Sequence, residues 1–142
     1  MNGISFAQSR MIIDATLEKG AEMGLKPLSV VVLDAGGHPL AFVRQDGAAP
    51  GRFEIARGKA YGAVMLGMGG RAQMARAEAQ TYFMAALNGA YGGKVIPVPG
   101  GILVHDAEGA VIGAIGVTGD TSDNDAEAGL AGLAAAGLTG VA

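Results

Sequence analysis

The chain contains no cysteine. That excludes disulfides, thiolate nucleophiles, iron–sulfur clusters, cysteine-ligated zinc and covalently attached c-type haem. Charge is scarce as well: charged residues make up 16% of the 142, with a net charge of -3 and the two signs interspersed. Nucleic-acid binding needs a basic stripe, and none is present. No apolar run approaches the ~20 residues that a membrane span requires. The segment MNGISFAQSRMIIDAT shows no basic stretch followed by an apolar one, so no secretory signal is read from it. These absences lead to an expectation of a cytoplasmic protein without nucleic-acid or membrane partners.

Small residues take up the composition instead. Half of the residues are hydrophobic, 25 are glycine, and only 5% are aromatic. A chain of this length fits a single domain over residues 1–142. Its elements should be thin and closely packed. A surface this poor in charge is best covered by a second copy, so a homo-oligomer is expected.

Ser5 with Gln8 fits a capping box, and Phe6, Ile13, Leu17 and Ala21 follow at roughly helical spacing. With Gly24 and Pro27 as stop signals, the first helix is placed from about Ser5 to Met23. The run LSVVVLD enters the turn Asp34-Ala35-Gly36-Gly37 and PLAFVR leaves it, a hairpin whose first strand is apolar on both faces and therefore central. A helix then runs from Pro50-Gly51 to Gly69-Gly70 through Phe53, Ala56, Ala60, Val64 and Gly67. Gly58 and Gly62 within it would each cost ~1 kcal/mol relative to alanine, which points to another backbone packed very close. A further helical stretch ends near Asn88-Gly89.

In PVPGG neither Pro97 nor Pro99 can donate to a ladder, so that stretch is a connection. ILVHD and AVIGAIGVTG form a second hairpin around Ala107-Glu108-Gly109, with Gly113 and Gly116 on opposite faces of its last strand. A final helix opens at Thr121 or Ser122, with Asp123, Asp125 and Glu127 favoured by the dipole of its first turn, and Leu130, Leu133 and Gly137 on one face. The order of elements is that of an α+β domain with a mostly antiparallel sheet.

Few residues offer chemistry. No phosphate-loop spacing is present. DNDAE lacks the glycine and glutamate of a calcium loop, so capping explains it better. His38 and His105 are the only histidines, and both fall near hairpins. A three-ligand zinc site would need both of them plus Asp34 or Asp106, and is not favoured. One axial haem-iron ligand is a smaller demand, which leaves each histidine a candidate besides its role as a turn or strand residue. Arg52, Glu54, Arg57 and Lys59 cluster at the head of the second helix. They read either as a solvated face with an ion pair, or as a face from which Lys59 reaches into a pocket to bind a carboxylate. Met65, Met68, Met74 and Met84 read as core fillers before ligand-lining residues, and Tyr61 and Tyr82 as packed rings before phenolate ligands.

Together, SVVVLDAGGHPLAFVRQDGA, EIARGKAYGAVMLGMG and PVPGGILVHDAEGAVIGAIGVTGDTSDND resemble the GlcG/HbpS-like family of haem-binding or haem-degrading domains, from Ser5 to about Leu138. A similar domain forms the C-terminal part of some corrinoid adenosyltransferases. The resemblance implies a profilin/PAS-like five-stranded antiparallel sheet flanked by helices, and a homo-oligomer between dimer and octamer. It implies haem or a related tetrapyrrole as a possible cofactor. It also implies a cleft lined by Lys59, Tyr61, Pro99, Gly100, Gly101 and Gly116. Leu103 stands where the family phrase has proline.

Two functions follow as expectations. One is a binding protein for haem, a related tetrapyrrole or another planar carboxylated ligand. The other is an enzyme acting on a small oxygenated organic acid, with Lys59 or Arg57 anchoring the carboxylate and His38, Tyr61 or Glu54 moving a proton.

Overall fold

Helix α1 (Phe6–Glu22) opens the fold in the computed structural model, which describes residues 3–142. The Ser5 hydroxyl accepts from the Gln8 N–H at 3.0 Å, and the Gln8 side chain accepts from the Ser5 N–H at 2.9 Å, completing the expected capping box. Strands β1 (Ser29–Asp34) and β2 (Pro39–Arg44) make the first hairpin. Helices α2 (Arg52–Leu66), α3 (Gly70–Ala79) and α4 (Thr81–Ala90) follow. Then come β3 (Gly101–His105), β4 (Val111–Thr118), α5 (Ser122–Ala135) and the short β5 (Thr139–Val141).

All strand pairs are antiparallel, in the order β2-β1-β4-β3-β5. This is the expected α+β arrangement of profilin-like type. β1 lies between β2 and β4, and Val30, Val31, Val32 and Leu33 are all fully buried, which is why its sequence is apolar without alternation. Each such side chain contributes about 1.5–3 kcal/mol relative to exposure.

The two faces of the sheet are filled differently. On one, α1 and α5 cover Val30, Val32, Ile102, Val104, Ile115 and Val117 with Ile12, Ile13 and Leu133. On the other, α2 lays Ala56, Ala60 and Ala63 against Val31, Leu33, Leu103 and Ala114. Backbones meet closely on this second face. A Cβ on Gly116 would collide with the Ala56 carbonyl, and one on Gly101 with the Lys59 carbonyl. On the outer side of α2, a Cβ on Gly58 would meet Ile96 and the Lys94 carbonyl oxygen, and one on Gly62 would lie 2.5 Å from the Gln73 Oε1. The close approach expected at Gly58 and Gly62 is therefore present.

Several sequence expectations are corrected. Phe6 is 68% exposed, because Ser9, Ile12, Ile13 and Thr16 form the buried face of α1 instead. The stretch after Gly70 is two helices rather than one, broken at Gln80, whose φ of -137° is not helical. Tyr82, expected to pack, is 75% exposed. Gly137 falls in a turn beyond α5, at a φ of +74°, and not on its buried face. Strand β5, which pairs with β3 through Leu103–Val141, was not placed by the pattern because three residues carry too little periodicity.

Candidate functional site

The residues singled out by the sequence fall into three groups. The first is a packed junction. Lys59 sits on the sheet-facing side of α2 and is only 3% exposed. Its ammonium donates to the Val117 carbonyl oxygen at 3.0 Å and to Asp125 Oδ2 at 3.2 Å. Asp125, in the first turn of α5, is 1% exposed, and its Oδ1 accepts from the Asp120 N–H at 2.9 Å. The amine passes the start of β3 beside Gly100, where a Cβ would lie 2.8 Å from Nζ; Gly100 also has a φ of +108°. Pro99, Gly100, Gly101 and Gly116 are buried around this junction. Burial pushes the Lys59 amine below its ordinary pKa and the Asp125 carboxyl above its own, while the attraction between them opposes both shifts.

The second group lies on the surface at the β1–β2 turn. Asp34 Oδ1 accepts from the N–H groups of Gly36 and His38, both at 2.9 Å, and so closes the turn. His38 Nδ1 lies 3.3 Å from the same oxygen, and the imidazole is 79% exposed. Burial raises the Asp34 carboxyl, but the His38 and Gly36 amides and the His38 charge outweigh it and hold the group below its ordinary value.

The turn rests on α2. A Cβ on Gly37 would lie 3.0 Å from Met65 Cε and 3.1 Å from the Tyr61 ring. Tyr61 stands edge-on to Tyr91, with centroids 6.2 Å apart, and the Lys94 ammonium is 5.4 Å from the centroid of the Tyr61 ring. His105 ends β3 at the same end of the sheet. Asp34 and Val104 both pair with Gly113, so β1 and β3 finish level on either side of β4.

The third group is at the head of α2. Arg57 lies over Phe53, 5.6 Å from its centroid, and its Nε is buried without a hydrogen-bond partner. Arg52 Nη1 donates to Thr118 Oγ1 at 2.9 Å. Glu54, in the first turn of α2, is exposed. Among the described residues, no three histidine or acidic side chains converge in a metal-ligating cluster.

Lys59, Gly100, Gly101 and Gly116 are thus brought together, and Tyr61 lies against the turn that carries His38, but the two sets lie in different places. Sequence reasoning missed Asp125, which capping seemed to explain. It also missed Tyr91 and Lys94, which nothing in the sequence ties to Tyr61. Asp34 had a readable signal, four residues before His38 across paired glycines.

The family described as haem degrading protein HbpS-like matches residues 4–134. No curated protein matches the chain. Among solved structures, PduOC in complex with haem superposes with a TM-score of 0.86 at 23% identity, over 99% of both chains. HbpS does so at 0.81 and 27% identity, over 94% of this chain and 90% of that one. The Klebsiella pneumoniae protein ORFY gives 0.82 and 26%, over the same shares.

Proposed function

The chain belongs to the HbpS-like family of haem-degrading proteins, and from that premise we propose that it binds haem, or a related planar tetrapyrrole carrying carboxylates, at the His38–Tyr61 surface. The observation that carries this reading is the mostly exposed His38 imidazole, whose Nδ1 lies 3.3 Å from Asp34 Oδ1. A carboxylate on the far nitrogen fixes the tautomer and raises the basicity of a metal-ligating imidazole. Met65 and the rings of Tyr61 and Tyr91 supply apolar surface beside it, and Lys94 supplies a cation for a propionate.

The residues present therefore fit the group: His38 for the iron, Tyr61 and Met65 for the macrocycle, Lys94 for a carboxylate. When bound, haem supplies a redox-active iron centre, which no side chain of this cysteine-free chain offers. His105, level with the turn, is the second candidate iron ligand. PduOC shares the fold, and its structure is a haem complex.

The proposal includes a homo-oligomer. Phe6, Met11, Tyr82 and Val141 are all more than half exposed or nearly so, and the stretch TYFMAALNGA of α4 carries no charge. Light scattering on a size-exclusion column gives the number of copies; a monomer at all concentrations would remove this part.

A second reading, an enzyme for a small oxygenated organic acid with Lys59 or Arg57 as anchor, is favoured by the unpartnered buried Arg57 Nε. Lys59 counts against it, since its charge is already taken up by Asp125.

Titration of the protein with hemin, followed by the Soret band, tests the first reading. A saturable spectrum in the wild type that changes form in His38→Ala supports it. Non-saturable spectra in the wild type would end it.

A further inference from the structure

We propose that the corner formed by Ser29, Thr118 and Arg52 binds a small monocarboxylate, at the opposite end of the sheet from His38 and independently of haem.

Register and alternation place these groups together. Ser29 pairs with Thr118 across β1 and β4. Val31 and Leu33 face α2, so Ser29, two residues before Val31, faces α2 as well. Gly116 lies beneath Ala56, so Thr118, two residues on, also faces α2. Arg52 is one turn ahead of Ala56 on the same side of the helix, and its guanidinium meets the Thr118 hydroxyl at 2.9 Å. The Ser29 side chain thus lies on the sheet face under the first turn of α2.

Two observations suit this corner to an anion. Ser29 is 0% exposed, and its hydroxyl has no hydrogen-bond partner. A buried hydroxyl left unpaired is unfavourable, and an acceptor oxygen from a ligand would satisfy it. Arg52 uses one guanidinium N–H on a neutral hydroxyl and, among the described residues, makes no ion pair. Gly51 at the start of α2 gives no side-chain cap, and Glu54 in the first turn offsets part of the helix dipole there.

The charge present selects the ligand class. Lys59 is close on the same helix face but is neutralised by Asp125. Of the other cations on this side, Arg44 across the ladder from Ser29 is exposed and Arg57 stacks on Phe53, so the guanidinium that meets the hydroxyls is that of Arg52. One guanidinium fork with two hydroxyls matches a carboxylate of one negative charge better than a phosphate dianion. Phe42 and Phe53, edge-on with centroids 4.9 Å apart, stand beside Arg52 as an apolar wall for a substituent.

The test follows the backbone amide resonances of Phe53, Glu54 and Thr118 during titration with sodium acetate, then with sodium phosphate, at constant ionic strength. Saturable shifts with acetate are expected, and affinity falls about tenfold or more in Arg52→Gln. In Ser29→Ala affinity falls several-fold while the urea midpoint does not fall, since that hydroxyl has no partner to lose. Arg10→Ala, on the exposed side of α1, binds acetate as the wild type does. Hemin titration is unchanged in Arg52→Gln, which separates this site from the His38 surface. The proposal is overturned if acetate gives no saturable shift, if Arg52→Gln binds it equally, or if phosphate binds more tightly than acetate.

Discussion

The Lys59 ammonium lies 3.2 Å from the Asp125 carboxylate with both side chains shut away from water. One ion pair thereby ties α2, on one face of the sheet, to α5, on the other. Removing either partner leaves the other charge buried and unpaired. Asp125→Ala is expected to cost about 3–5 kcal/mol. The double change of Lys59→Met with Asp125→Leu is expected to cost clearly less than the sum of the single changes, because no orphaned charge remains. Urea unfolding of Lys59→Met, Asp125→Leu and the double variant measures this, and additive losses would show that the pair is not coupled.

The glycines divide by what surrounds them. Gly116→Ala drives a methyl group into the Ala56 carbonyl, with backbone on both sides and little room to relax. The expected loss is at least the ~1–3 kcal/mol of ordinary overpacking. Gly89 in α4 has nothing within 4 Å of an added Cβ. There the same substitution should stabilise by about 0.5–1 kcal/mol through helix propensity. Thermal denaturation of the two variants should move in opposite directions.

Asp120 gives the fold an acid dependence. Hydrogen bonds from the Asn124 side chain and from the Lys26 and Thr121 amides hold its carboxyl at about 2, below the ordinary 3.8. The unfolded chain therefore binds this proton first as pH falls. The stabilisation is complete above pH 3.8 and is lost as pH descends through about 2. The gap in urea midpoint between wild type and Asp120→Ala should be widest near neutral pH and close over that window. A gap independent of pH would assign the effect to lost packing.

Asp34 acts on the proposed haem site through His38. Asp34→Ala removes the carboxylate 3.3 Å from Nδ1 and the two amide contacts of the turn. Hemin affinity should fall by about 10–100-fold, the range for such supporting partners, with a smaller loss in Asp34→Asn. His105→Ala should leave the Soret band unchanged if His38 is the ligand. The reverse pattern would transfer the role to His105.

The fold was legible wherever local pattern and tertiary demand agree. The unbroken apolar run of β1 announced a central strand. Ser5 and Gln8 announced the start of α1, and the glycines of α2 announced a close neighbour. The break at Gln80 was not readable, since Arg71–Ala90 is rich in helix formers with no proline to mark a stop. Phe6 misled because a large apolar residue usually lies inside, yet here the turn from Ser9 to Thr16 faces the sheet with smaller side chains.

What the sequence determined by itself is the set of elements and the chemistry left open to them: no thiols, two histidines, a few cations on one helix. Local spacing suffices for that, because capping, alternation and helical period act over a few residues. Partnership was decided by the tertiary structure. Asp123 and Asp125 are equal first-turn acids in the sequence, but only the packing of α5 against β4 buries one of them beside Lys59. Tyr61, Tyr91 and Lys94 meet only because the chain returns past the outer side of α2, and contacts made over such separations leave no periodic trace.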